Sequence, residues 1–264
     1  MRKYITIFKA NWQATFEYRL NFFLGRLENI ILLVTLYFLW NSIFAQQETI
    51  FDYNKAQILT YVIGGHFLRA LILETRTKFV GEEIYSGFIS SVLLKPVSYF
   101  WQWFAEDFAR KALTILTSIF EAAIFIVLVK PSLFIQKDIN LILLTIVAIV
   151  LAAFLNFVIT FTTALFGFWS DETYGPSFLM DVIINFASGA FFPLDVLPQF
   201  LALSLKVLPF SYLLFFPLKI YLGQLSFGAV FTGLGLQVLW LFILSNIYRF
   251  VWSRGLRRYS TYGG

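Results

Sequence analysis

The chain has 264 residues, 59% of them hydrophobic and only 13% charged, with a mean hydropathy of +0.76. A soluble domain carries about 25% charged residues, so this composition excludes a water-soluble globular protein and describes one built for a bilayer. The net charge of +5 reads as a topology signal rather than as nucleic-acid binding, and the absence of cysteine excludes disulfides, thiol catalysis and thiolate metal sites.

Residues 3–20 place Ile5, Phe8, Trp12, Phe16 and Leu20 at helical spacing, with Lys9, Gln13, Glu17 and Arg19 between them. The pattern suits an interfacial helix over residues 1–20 with its apolar stripe among the acyl chains, or a helix packed on a partner subunit. No short apolar core with a small-residue cleavage site follows, so the first span is expected to direct insertion itself. Six membrane spans are expected, at residues 21–45, 57–73, 112–129, 140–169, 177–192 and 227–252. The second is short and relies on snorkelling side chains at its ends. Between the second and third, residues 74–111 are charged and aromatic and are expected outside the hydrocarbon.

Residues 185–223 are almost wholly apolar, yet Pro193, Pro198, Pro209 and Pro217 interrupt them. Proline removes a backbone donor and clashes with the preceding turn, so no straight span of ~20 residues fits between them. Irregular backbone at membrane depth survives only where protein or a wet cavity satisfies its polar groups. The pattern predicts a helix ending near Phe192, then short helical pieces that dip into the bilayer and return over residues 193–226. Fifteen Lys/Arg residues fall in the N-terminus, residues 69–111 and the tail, against Lys55, Lys130, Lys137, Lys206 and Lys219 elsewhere. The positive-inside rule then puts both termini in the cytoplasm, and a seventh crossing would push Arg254, Arg257 and Arg258 outside. The expected fold is all-α and polytopic: an interfacial helix, six transmembrane helices and a re-entrant broken-helix segment before the last.

Three stretches carry a likeness: SGAFFPLDVLP followed by LPF and FFPLKIYLG (188–223), GFISSVLLKPVSYF (87–100) and VWSRGLRRYSTYGG (251–264). Together they resemble the membrane subunit of ABC-2 type exporters, in a clade of paired permeases. The resemblance implies one ABC-2 transmembrane domain over residues 1–264, supplying half of a translocation path. It implies two copies of a separate ATPase subunit, which would bind the ATP and Mg that this chain does not, and a second permease, identical or homologous. It further implies that residues 74–111 contact the ATPase, with Glu82, Glu83, Tyr85 and Gly87 at the contact and Lys95 and Pro96 in the same loop. The other reading of that loop is a solvated segment whose aromatics rest on headgroups. The outer segment, with Pro193, Asp195, Pro198, Pro209 and Pro217, would lie where substrate leaves. Asp195 either caps the short helix after Pro193 or stands at a gate, and a gate of Phe, Leu and Pro suits an amphiphile better than an ion.

There is no GxxxxGK[ST], so the chain does not hydrolyse ATP alone, and no GxSxG, HExxH or CxxC. A single histidine cannot build a multi-histidine metal site. Within the spans, His66, Arg69, Glu121 and Asp181 are costly to bury and are therefore candidate sites. Arg69–Asp181 and His66–Glu121 pairs are expected as ties between spans, at matching depths for about 1.5 Å per residue. Asn156, Asn185, Gln237 and Asn246 are expected to bond between helices. Gly228, Gly233 and Gly235 permit either close helix approach or a bend. The competing function is a proton-coupled secondary transporter or channel subunit, working without an ATPase and using Glu121. Internal repeats would favour it, and the halves show none.

Overall fold

The computed structural model describes residues 19–262. The expected interfacial helix lies outside them, apart from Arg19 and Leu20, which open the first long helix α1 (Arg19–Ile43). A two-residue hairpin, β1 (Thr49–Ile50) and β2 (Tyr53–Asn54), turns through Phe51 and Asp52 at positive φ. Helix α2 (Lys55–Leu68) starts on a capping box: Gln57 N donates to the Asn54 side chain and Asn54 N to the Gln57 side chain. It continues through a π-helical turn, Arg69–Leu73, into α3 (Lys78–Tyr85) and α4 (Ile89–Leu93). Next come α5 (Tyr99–Val129), α6 (Ile139–Ala164) and α7 (Tyr174–Ala187). The short helices α8 (Gln199–Val207) and α9 (Phe215–Tyr221) precede α10 (Phe227–Tyr262).

Among the described residues, five helical stretches are long and apolar enough to cross a membrane: Phe23–Ile43, Lys55–Tyr85, Tyr99–Val129, Ile139–Phe168 and Phe227–Tyr259. The remaining expected span, α7, has 14 residues. At about 1.5 Å per residue it is shorter than a hydrocarbon core of about 30 Å. It stops before Phe192 because Gly189 takes a left-handed φ of +81°, and the Gly189 carbonyl accepts from Tyr61 Oη at 2.7 Å. The chain still passes from end to end there. Tyr174 lies beside Lys78 next to α3, whereas Asp195 bonds Tyr53 in the hairpin. The 193–226 segment is broken as its prolines dictate, into α8, α9 and 3₁₀ turns at Leu194–Val196 and Pro209–Tyr212.

Residues 74–111 are mostly helical, in keeping with a segment able to form short helices, but α5 begins at Tyr99, well before the expected 112. The charges in its first turns permit this because they pair on the inner face. Lys111 reaches Asp107 at 2.8 Å and the Ile72 carbonyl at 3.2 Å, with both side chains buried.

Two cores hold the molecule. The larger joins α1, α2, α6 and the broken segment around Leu33, Leu59, Leu155, Leu213 and Ile220. The smaller, at the α3–α4 end, is aromatic: Tyr99 stacks on Trp252 at 5.6 Å, and Phe100 meets Phe157 edge-on at 5.2 Å. Around them the outward faces of α5 and α10 carry Phe120, Leu128, Phe231 and Phe242, as contact with lipid requires.

Helix α3 reaches this core through a glycine contact. A Cβ on Gly167 would sit 2.6 Å from the Gly81 carbonyl oxygen and 2.9 Å from its Cα, so backbone meets backbone with no side chain to yield. Gly167→Ala is therefore expected to cost about 1–3 kcal/mol of stability, read as a lower melting temperature in detergent. Gly175→Ala, whose Cβ would find only the Glu172 side chain at 3.6 Å, should leave it unchanged.

Candidate functional site

The charges inside the spans converge on Arg26 of α1. Its Nε donates to Glu121 Oε1 at 2.7 Å and its Nη2 to Glu121 Oε2 at 2.5 Å, a fork-to-fork pair. Nη2 also donates to Ser118 Oγ at 2.8 Å, and Nη1 to Glu74 Oε1 at 3.2 Å. Asn29 Nδ2 donates to the same Glu74 oxygen at 2.7 Å, and His66 Nε2 lies 3.2 Å from Glu121 Oε2. The structure thus brings His66 and Glu121 together and adds Arg26 and Glu74, which the sequence reading had assigned to topology counting and to a loop. The overlooked signal was Arg26 itself, an arginine near the start of a largely apolar span.

Arg69 does not meet Asp181. Its guanidinium donates to the Asn185 side chain, one turn further along α7, and lies 5.5 Å from the centre of the Phe191 ring. The Asp181 side chain is exposed, and its backbone carbonyl accepts from Asn185 Nδ2. The offset is one turn of α7, which matched depth along two helices does not fix. Asn156 bonds the Ile72 carbonyl, and Gln237 bonds the carbonyls of Ala148 and Tyr212, both between segments. Asn246 turns back on its own helix, to Phe242. Of the three glycines, Gly233 faces the Phe216 ring closely, whereas Gly228 and Gly235 stand in open space.

At the α3–α4 end, the suspected contact residues separate into two groups. Glu83 is an internal tie, accepting from Tyr99 Oη at 2.7 Å and Trp103 Nε1 at 3.2 Å. Gly87 makes the α3–α4 turn at φ +82°, and its carbonyl accepts from Tyr259 Oη at 3.2 Å. Glu82, Tyr85, Lys95 and Pro96 are exposed.

At the opposite end, Asp195 caps no helix. It is a hub: Lys219 donates to Oδ2 at 2.8 Å, Lys206 to Oδ1 at 3.1 Å and Tyr53 to Oδ2 at 3.1 Å. Pro193 precedes it in the chain, and Pro198, Pro209 and Pro217 set the first turns of the short elements beyond.

A polytopic all-helical chain with a broken segment before its last helix now stands beside a sequence comparison. Residues 30–263 match the family described as ABC-2 family transporter protein. The chain belongs to that family. It is accordingly a multi-pass membrane permease component of an ABC transporter, a part that is not itself catalytic. Comparison with curated proteins gives no significant match.

Two outcomes follow for the permease. Arg26→Gln leaves Glu121 and Glu74 without their cation, at an expected cost of about 3–5 kcal/mol. Thermal unfolding should show most of it recovered in the Arg26→Gln/Glu121→Gln double variant. The second concerns acid. Burial alone would raise the Asp195 carboxyl, but the hydrogen bonds and charges of Lys219 and Lys206 outweigh it and hold the group below its usual range. A depressed carboxyl contributes stability above its unfolded pKa of about 3.9 and loses it as pH falls through the lower folded value. Melting temperature should therefore drop below about pH 4 in the parent, and Asp195→Asn should lack that component of the drop.

Proposed function

We propose that the permease forms half of the path of an ATP-driven exporter and takes its drive from a separate ATPase subunit docked on α3–α4. One observation carries this reading. Helices α3 and α4 expose a mixed apolar and charged surface, including Glu82, Tyr85, Phe88, Leu94 (88% exposed) and Lys95, while their other side is locked into the spans. The locks are the Glu83 bonds to α5, the Gly81–Gly167 contact and the bonds of Tyr259 to Ser90 and Gly87. A surface element fixed to three spans moves them when it is pushed. A loop resting loosely on headgroups would need no such locks.

The nucleotide and its Mg would sit on the ATPase. A second permease, identical or homologous, would complete the path, and the Lys/Arg distribution supports cytoplasmic termini with α3–α4 on the same side. The proton-coupled alternative needs Glu121 to take up and release protons. Its two-oxygen clamp by Arg26 argues against that role and for a structural one.

The test is purification from native membranes with a tag on the permease, followed by ATPase assay. A co-eluting ATP-binding subunit is expected. Tyr85→Ala with Leu94→Glu should lower permease-dependent ATP turnover about tenfold or more, as loss of an interface anchor does, without shifting the melting temperature. Elution of the chain alone, with ATP leaving its conformation unchanged, overturns the reading.

A further inference from the structure

The Asp195 hub forms one side of a cavity of about 490 Å³ between the broken segment and the first turns of α10. Its polar groups do not balance. Two ammonium groups, Lys206 and Lys219, share one carboxylate, which leaves the cluster with a net positive charge. Each donates to Asp195 through one N–H, and no other hydrogen bond from either ammonium is found among the described residues. Lys219 is held at 12% side-chain exposure, over the rings of Tyr53 at 4.9 Å and Phe215 at 5.8 Å, whereas Lys206 is 46% exposed and reachable. Gln224 lines the same cavity, and its Oε1 is buried without a hydrogen-bond partner among the described residues, although its Nε2 bonds the Asp52 carbonyl. A buried acceptor in that state costs about 1–3 kcal/mol unless something donates to it. Of the remaining walls Phe216, Leu225, Ala229 and Leu236 are apolar, and the hydroxyls of Ser211, Tyr212 and Thr232 each donate to a backbone carbonyl. On the flank of α10 that lines the cavity, Leu239 is exposed two turns beyond Thr232, and α8, which carries Lys206, exposes Leu203 and Val207.

We propose that this cavity binds the headgroup of a phosphate-bearing lipid, with the acyl chains lying along the Thr232–Leu239 flank of α10. The two ammonium groups supply the counter-charge and donors that a phosphodiester needs. Gln224 Oε1 accepts from a headgroup hydroxyl. The apolar walls and the exposed Leu239, Leu203 and Val207 take the hydrocarbon, which a free anion has no use for. The site is distinct from the α3–α4 surface, and the inference does not need the exporter reading, because lipid binding is measured without ATP or ATPase.

The experiment measures binding of short-chain phosphatidylglycerol and of phosphatidylcholine with the same chains to the purified permease in neutral detergent, by native mass spectrometry. Phosphatidylglycerol should bind more tightly, and Lys206→Gln, a change at an exposed side chain, should weaken it about tenfold, the loss of one charge-assisted hydrogen bond. Asp195→Asn should tighten it, since it removes the only carboxylate of the hub. That opposite sign separates a binding role from a structural one, in which both variants would only weaken the protein. Equal binding of the two lipids, or no response to Lys206→Gln, overturns the proposal. So does displacement of phosphatidylglycerol by an equal concentration of inorganic phosphate, which would mark an anion site with no part for the tails.

Discussion

A guanidinium inside a bilayer persists only where carboxylates and hydrogen-bond acceptors replace the water it has lost, and Arg26 is the group on which this permease is built. Its partners come from two other spans: Glu121 and Ser118 on α5, and Glu74 at the end of the π-helical turn that follows α2. His66 leans on the same Glu121 oxygen from the last turn of α2. The desolvation of so many ionisable groups is repaid only by good geometry, and the bidentate Arg26–Glu121 pair has it. The hub therefore fixes rotation and depth for α1, α2 and α5 together. Apolar packing in lipid cannot do this, because lipid tails are as apolar as leucine and exert no hydrophobic drive between helices.

The broken segment meets the same constraint on its backbone. Four prolines and Gly189 leave carbonyls and amides without helical partners, and each must be satisfied inside the protein. Phe215 N donates to the Ser188 carbonyl at 2.9 Å, Gln237 to the Tyr212 carbonyl at 2.9 Å and Trp240 to the Val207 carbonyl at 3.0 Å, while Tyr212 Oη donates to the Lys206 carbonyl at 2.9 Å. The polar residues on the apolar helices are thus largely the partners of a segment that could not otherwise lie there. Asp195 completes the set from its own side by tying α8 and α9, through Lys206 and Lys219, to the hairpin at Tyr53.

These two solutions were unequally legible in the sequence. Hydropathy and prolines placed the long helices and the break, because both act locally along the chain. The start of α5 at Tyr99 was hidden, since its charged first turns look solvated until Asp107 and Lys111 are seen to pair with each other across one turn. The end of α7 was hidden by Gly189, whose left-handed backbone is a choice that glycine permits but does not announce. Among the polar ties, His66–Glu121 could be inferred from matched depth. Arg69–Asp181 failed because matched depth does not fix helix rotation, and the guanidinium reaches Asn185 one turn away. Arg26 was visible as a charge in an apolar run, and only the positive-inside tally drew attention away from it.

Helix α10 connects the two ends of the molecule. Its 36 residues amount to about 54 Å of continuous helix. Its first turns wall the cavity beside Asp195, with Ala229, Thr232 and Gly233, and its last turns carry Tyr259, bonded to Ser90 and Gly87. Between them Trp252 stacks on Tyr99 and Gln237 bonds α6 at Ala148. A helix held at both ends and in the middle transmits displacement as a rigid body rather than absorbing it. A push on α3–α4 would therefore reach the Lys206–Lys219 cavity through Tyr259 and α10, and the Arg26 hub through the Glu83 bonds to α5. On that geometry the hub makes α1, α2 and α5 respond as one unit, while α10 is the continuous helix that joins α3–α4 to the cavity at the other end.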